Sequence, residues 1–269
     1  MITAKDTIRY MESLQNEKQR KVLMGFFKTG PGEYGEGDEF LGLKVPQTRE
    51  AVKAVWQDFP LSEVPELLMN RWHEVRLCGF LILVAKFEKL ATKRLINDEA
   101  AIRGRDEILQ LYLQYADQAN NWDLVDLSVH KILGHWLMLP TNIKPLPSSP
   151  GGGDVKRQVL DELAASPCLW KQRMSMVCTW KTSQMGDPSW CLRYAGVHLH
   201  HPHDLMHKAV GWMLREMGKR VSMDLLRDFL RLHAHEMPRT MLRYAIEKMS
   251  ETERKEWMAI PPKPTGTVG

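Results

Sequence analysis

"WHEVRLCGFLILVAKFEKL", Trp72–Leu90, is the most apolar stretch of the chain. Its charges lie toward the margins, and Leu77–Ala85 carries none. A segment apolar on every side at helical pitch is a buried helix with neighbours all round. Its most apolar part, "LCGFLILVAKFEKL" at Leu77–Leu90, is too short and too interrupted by Lys86, Glu88 and Lys89 to span a bilayer. A buried central helix needs other helices to cover it, and the flanking sequence supplies them.

Apolar residues recur at helical spacing in Thr7–Thr29, Val45–Trp56, Leu61–Asn70, Arg105–Asp117, Asn120–Gly134 and Asp154–Ser166. They recur again in Leu169–Ser183, His203–Arg220, Ser222–His235 and Pro238–Met249. Pro46 stands near one helix start, and Ser62 and Asp204 are placed to cap others. Strand-like alternation bounded by hairpin turns is absent. The expected fold is all-α. Helices joined by short turns suggest antiparallel pairs stacked into a curved α-solenoid of HEAT type with a concave basic face. The repeats are not identical, so periodicity alone leaves a globular bundle open.

Two stretches interrupt the helices. Thr29–Pro46, "TGPGEYGEGDEFLGLKVP", carries five glycines and must be a shaped loop. Thr141–Asp154, "TNIKPLPSSPGGGD", reads as a flexible insertion loop within one domain covering residues 1–260. Residues 261–269 read as a disordered tail.

The 269 residues carry a formal charge of +4, which permits a nucleic-acid partner without demanding one. Cys78, Cys168, Cys178 and Cys191 form no C-x-x-C pair. With no secretory leader recognised, they read as reduced thiols of a soluble cytoplasmic protein without a membrane partner. Phosphate-loop, zinc-protease, nucleophile-elbow and zinc-deaminase motifs are missing.

Four constellations carry chemistry or imitate it. In "NNWDLVDLSVHKILG", Asn120–Gly134, Trp122 and Asp126 are four residues apart on one helix face. They are either a packed Trp beside a solvated Asp or part of a site. Asp123 is expected to point elsewhere and to matter less. Arg173 stands among the core-facing Met174, Met176 and Val177, either snorkelling or paired with a carboxylate. Lys208, Trp212, Arg215 and Lys219 share a face, either as a solvated basic face or as a surface that meets phosphates. Lys171 adds to the excess of cations between Cys168 and Arg220, an electrostatic footprint suited to DNA. His198, His200, His201, His203 and His207 straddle Pro202 and read as an exposed turn rather than a metal site.

Together these segments resemble the DNA alkylation repair enzymes of HEAT-like fold, the AlkD-type glycosylases. The resemblance runs through Tyr34–Arg49, "NNWDLVD" at Asn120–Asp126, "LWKQRMSMV" at Leu169–Val177, Lys208–Lys219 and Pro238–Met249. It implies a catalytic carboxylate at Asp126, flanking aromatics at Trp122 and Trp212, an active-site arginine at Arg173 and a DNA-backbone contact at Arg215. The spacing from Asp126 to Arg173 is lengthened by Ile143–Gly153, which looks like an insertion. The implied function is hydrolysis of the N-glycosidic bond of positively charged N7- or N3-alkylated purines in double-stranded DNA. It implies no base-flipping pocket, no metal and no cofactor, and the expected state is a monomer. The alternative is a non-catalytic protein that recognises damaged or branched DNA.

Overall fold

In a computed structural model the described residues are 3–145 and 154–261. Residues 146–153 of the expected insertion and 262–269 of the expected tail lie outside the described residues. The chain divides into two compact units, Met1–Lys144 and Pro145–Gly269. Among the described residues there are helices and no strand, only an isolated bridge between Glu39 and Trp72. The all-α expectation holds. No described helix is long and apolar enough to cross a membrane.

The N-terminal unit contains α1 (Ala4–Ser13), α2 (Glu17–Phe26), α3 (Val45–Val55), α4 (Val64–Leu68) and α5 (His73–Leu90). It continues with α6 (Glu99–Gln114), α7 (Trp122–Ser128) and α8 (Leu133–Trp136). The central helix is α5: every residue from His73 to Val84 is buried, and α3, α4, α6 and α7 pack against it. That is the environment an all-round apolar sequence requires.

Helix breaks follow side-chain hydrogen bonding. Thr7–Thr29 is two helices because Asn16 turns extended and caps α2, its side chain accepting from the Gln19 amide at 3.0 Å. Asn120–Gly134 likewise splits, and Ser128 at the end of α7 donates back to the Leu124 carbonyl at 2.5 Å. Ser62 does not cap: it sits in a 3-10 turn, Leu61–Glu63, that leads into α4. Pro46 does occupy the first turn of α3.

The C-terminal unit contains α9 (Val155–Ala165), α10 (Leu169–Val177), α11 (Thr179–Gln184), α12 (Ser189–Val197) and α13 (Asp204–Arg220). It ends with α14 (Met223–His233), α15 (Arg239–Ala245) and α16 (Glu251–Ala259). Its long helix α13 packs against α10, α11, α12, α14 and α15. Gly211 permits the close approach to α15, since a Cβ there would stand 2.3 Å from the Met241 carbonyl. The cap of α13 is His203, whose ring accepts from the Leu205 amide at 3.1 Å, and not Asp204. The helices α12 and α16 fall outside the segments singled out by periodicity; both are short. All four cysteines are free thiols.

Candidate functional site

The first turn of α7 is built by contacts from three other segments. Asn121 is extended and fully buried, and its side chain accepts from the Trp122 amide at 2.9 Å. Its amide donates to the Phe27 carbonyl at 3.4 Å. The glycine-rich loop closes over this junction. A Cβ on Gly35 would stand 2.4 Å from the Phe27 carbonyl and 2.9 Å from the Asn121 amide nitrogen, so only glycine fits.

Trp122 and Asp126 line one cavity of about 420 Å³ within the N-terminal unit. Its aromatic wall is continuous. Trp122 stacks on Phe27 at 5.2 Å between ring centres and meets the edge of Phe26 at 5.7 Å. Phe26 is 60% exposed, so the wall reaches the surface. Phe27 also stacks on Phe40, which packs flat against the His73 ring at 4.4 Å. The polar groups of the lining are His73, Glu74, Asp123, Asp126 and Lys44.

Beneath this wall lies a buried charge cluster that the sequence did not reveal. His73 Nδ1 is 2.7 Å from Asp38 Oδ2, and its Nε2 is 2.9 Å from Asp123 Oδ2. Arg76 donates to the other oxygen of Asp38 at 2.5 Å and to Asn120 Oδ1 at 3.0 Å. Burial opposes a charge on His73, but the Asp123 and Asp38 carboxylates more than offset it and push its pKa up to about 9. Asp38 likewise stays below the usual carboxylate range: burial works against it, and the bonds and charges of His73 and Arg76 win. Glu74 fixes the loop from beneath, accepting from the amides of Leu41, Gly42 and Leu43 at 2.8–2.9 Å.

Asp123 therefore does not point away. It is buried, bonded to His73 and part of the same cavity as Trp122 and Asp126. The available signals were weak: an Asp in a glycine-rich loop, and a His-Glu pair opening an apolar helix.

The remaining predicted residues belong to the C-terminal unit. Arg173 on α10 is buried and donates to the Leu205 carbonyl at 2.6 Å, at the start of α13, while Met174, Met176 and Val177 are in the core. Trp212 is half-buried on α13. Arg215 is largely covered and paired with Glu247, and Lys208 pairs with Asp204 at 2.7 Å. Lys219 is exposed and Lys171 partly so.

The histidines are mostly tied down. His198 Nε2 lies 2.8 Å from the Ser175 hydroxyl, and His201 Nε2 lies 2.8 Å from Gln172 Oε1. His207 Nε2 approaches the His201 carbonyl at 2.5 Å. His200 stays exposed, as a turn residue should, whereas His198 is buried, so the turn is not exposed throughout. Among the described residues, no group of three or more His, Cys, Asp or Glu side chains is placed to hold a metal ion.

A solved structure described as a predicted DNA alkylation repair enzyme from Enterococcus faecalis shares the fold. The TM-score is 0.56 at 10% identity, covering 88% of this chain and 97% of that one. No curated protein sequence matches the chain. The family model for DNA alkylation repair enzymes matches residues 7–249, nearly the whole chain. The chain belongs to the DNA alkylation repair enzyme family.

Proposed function

We propose that this protein is a DNA glycosylase. It hydrolyses the N-glycosidic bond of positively charged N7- or N3-alkylated purines in duplex DNA, without a base-flipping pocket. The observation that carries the reading is the placement of Trp122 and Asp126 side by side on one cavity wall, in a chain of this family. An alkylated purine already carries the positive charge that a general acid would otherwise supply. The leaving group needs no proton, so one carboxylate suffices where sugar-chain hydrolases use two. Asp126 stabilises the oxocarbenium-like sugar and orients the attacking water. Trp122 presents a π-face to the cation, a contact worth about 0.5–2 kcal/mol.

Arg173 and Trp212 take the roles that the resemblance implies, a phosphate or carboxylate anchor and a second aromatic. Arg215, Lys208, Lys219 and Lys171 bind the DNA backbone on a basic face. Arg215 and Lys208 must exchange Glu247 and Asp204 for phosphate, whereas Lys219 is exposed and reaches phosphate at less cost. The protein acts as a cytoplasmic monomer without a cofactor.

Incubation with methylated duplex DNA tests the reading. The wild type is expected to free 7-methylguanine, and Asp126→Asn to slow release by at least roughly 100-fold with duplex binding retained. Release by Asp126→Asn at the wild-type rate would overturn the mechanism. Binding without release by the wild type would favour the non-catalytic alternative.

A further inference from the structure

We propose that His73 is a positioning residue: as an imidazolium it clamps the first turn of α7, through Asp123, to the glycine-rich loop, through Asp38. The clamp keeps the cavity walls that carry Trp122 and Asp126 in register. Only its activity readout rests on the excision reading.

The argument is one of donor counting. A neutral imidazole has one N–H and one lone pair, whereas an imidazolium has two donors. His73 has a carboxylate on each nitrogen, at 2.7 and 2.9 Å, so with both carboxylates ionised only the doubly protonated ring bonds both. The cluster is then balanced, Asp38 and Asp123 against His73 and Arg76. The groups around the ring come from every neighbouring element. Asp38 comes from the loop, with Arg76 of α5 behind it, and Asp123 and Asp126 come from α7. Glu74 of α5 is occupied by three loop amides, Lys44 stands at the start of α3, and Phe27 and Phe40 pack against the ring.

The two carboxylates are unequal. Asp38 keeps Arg76 on its other oxygen, but the second oxygen of Asp123 is buried with no hydrogen-bond partner among the described residues. A His73 that loses one proton therefore keeps the other on Nε2, facing Asp123, and its Nδ1 lone pair then confronts Asp38. The loop side of the clamp opens first. Phe40 and Leu43, which follow Asp38 in the loop, are part of the cavity wall.

Two measurements on the whole protein test this. Nitrogen-15 shifts of the His73 ring are expected to show both nitrogens protonated at pH 7.5, and Nε2–H alone after titration. The pH profile of 7-methylguanine release is expected to fall on the alkaline side. In Asp123→Asn, that limb moves to lower pH by roughly one unit or more, because one neighbouring carboxylate is gone. The substrate is common to both proteins, so the limb is read from the ratio of their rates at each pH, in which its own titration cancels. A loss of packing would lower the rate without moving the limb.

A neutral His73 ring at pH 7.5, or a limb that stays in place in Asp123→Asn, would overturn the clamp. If Asp123→Asn does not fold, the wild-type ring titration decides alone. If no base is released at any pH, the excision reading fails, and the nitrogen shifts still decide the clamp.

Discussion

His73 in the N-terminal unit and His198 in the C-terminal unit are both buried, yet their pKa values move in opposite directions. Burial disfavours the charge on each ring. At His73 two carboxylates override it and push the pKa up to about 9. At His198 the near partner is the Ser175 hydroxyl, and burial, aided by the charge of His201, pushes the pKa down to about 4. Burial sets a penalty on charge, and the partner's charge decides whether it is overcome. One unit thus holds an ionised core beside its cavity, and the other a neutral hydroxyl–imidazole pair.

Removing each ring should expose this difference most strongly. His73→Leu leaves Asp38 and Asp123 buried with only Arg76 to balance them, and is expected to cost about 3–5 kcal/mol. His198→Leu removes a neutral ring and is expected to cost about 1–2 kcal/mol. Urea denaturation measures both, and equal costs would erase the contrast.

Stability should next respond to pH in opposite directions. The folded pKa of His73 is raised, so its contribution is complete below about pH 6.5 and is lost as pH rises through about 9. The folded pKa of His198 is depressed. Its contribution is therefore present above about pH 6.5 and is lost as pH falls through about 4. Each effect is at most about 3 kcal/mol. Hydrogen exchange should show α5 and α7 losing protection on the alkaline side, and α10 and α13 on the acid side. Loss of protection in the same unit at both extremes would contradict the assignment.

The smallest change sharpens the neutral side. Ser175→Ala removes the partner of His198 Nε2 and is expected to cost about 1 kcal/mol. The shape of the alkaline limb should not change, because the His73 cluster is untouched. A shift of that limb would mean that it does not belong to His73.

Much of the fold was legible because helices are local. The apolar run at Trp72–Leu90 predicted a buried central helix, and α5 is that helix. Pro46 marked a helix start correctly. Breaks at Asn16 and Ser128 were missed because an apolar periodicity can run through a cap or a back-bonded hydroxyl unchanged. Asp204 looked like a cap by residue type, yet His203 one position earlier held the extended backbone that a cap needs.

The candidate site was legible only where it is local. Trp122 and Asp126 share a face by spacing, and they do line one cavity. Asp123 was set aside because consecutive helical residues point in different directions. That is true, but its direction leads to His73, and periodicity cannot say what waits there. Arg215 read as a contact to the DNA backbone, and only the fold shows it already paired with Glu247 on a distant segment.

From the sequence alone came the helical class, the shaped glycine loop, the Trp–Asp spacing and the family likeness. Each depends on residues near one another in the chain or on their order along it. The tertiary structure alone decided that His73 lies between two carboxylates, that Asp123 belongs beside the cavity and which cations are already paired. Such properties depend on distances between remote residues and on the water excluded around them. Neither exists until Asp38, His73 and Asp123 are packed together.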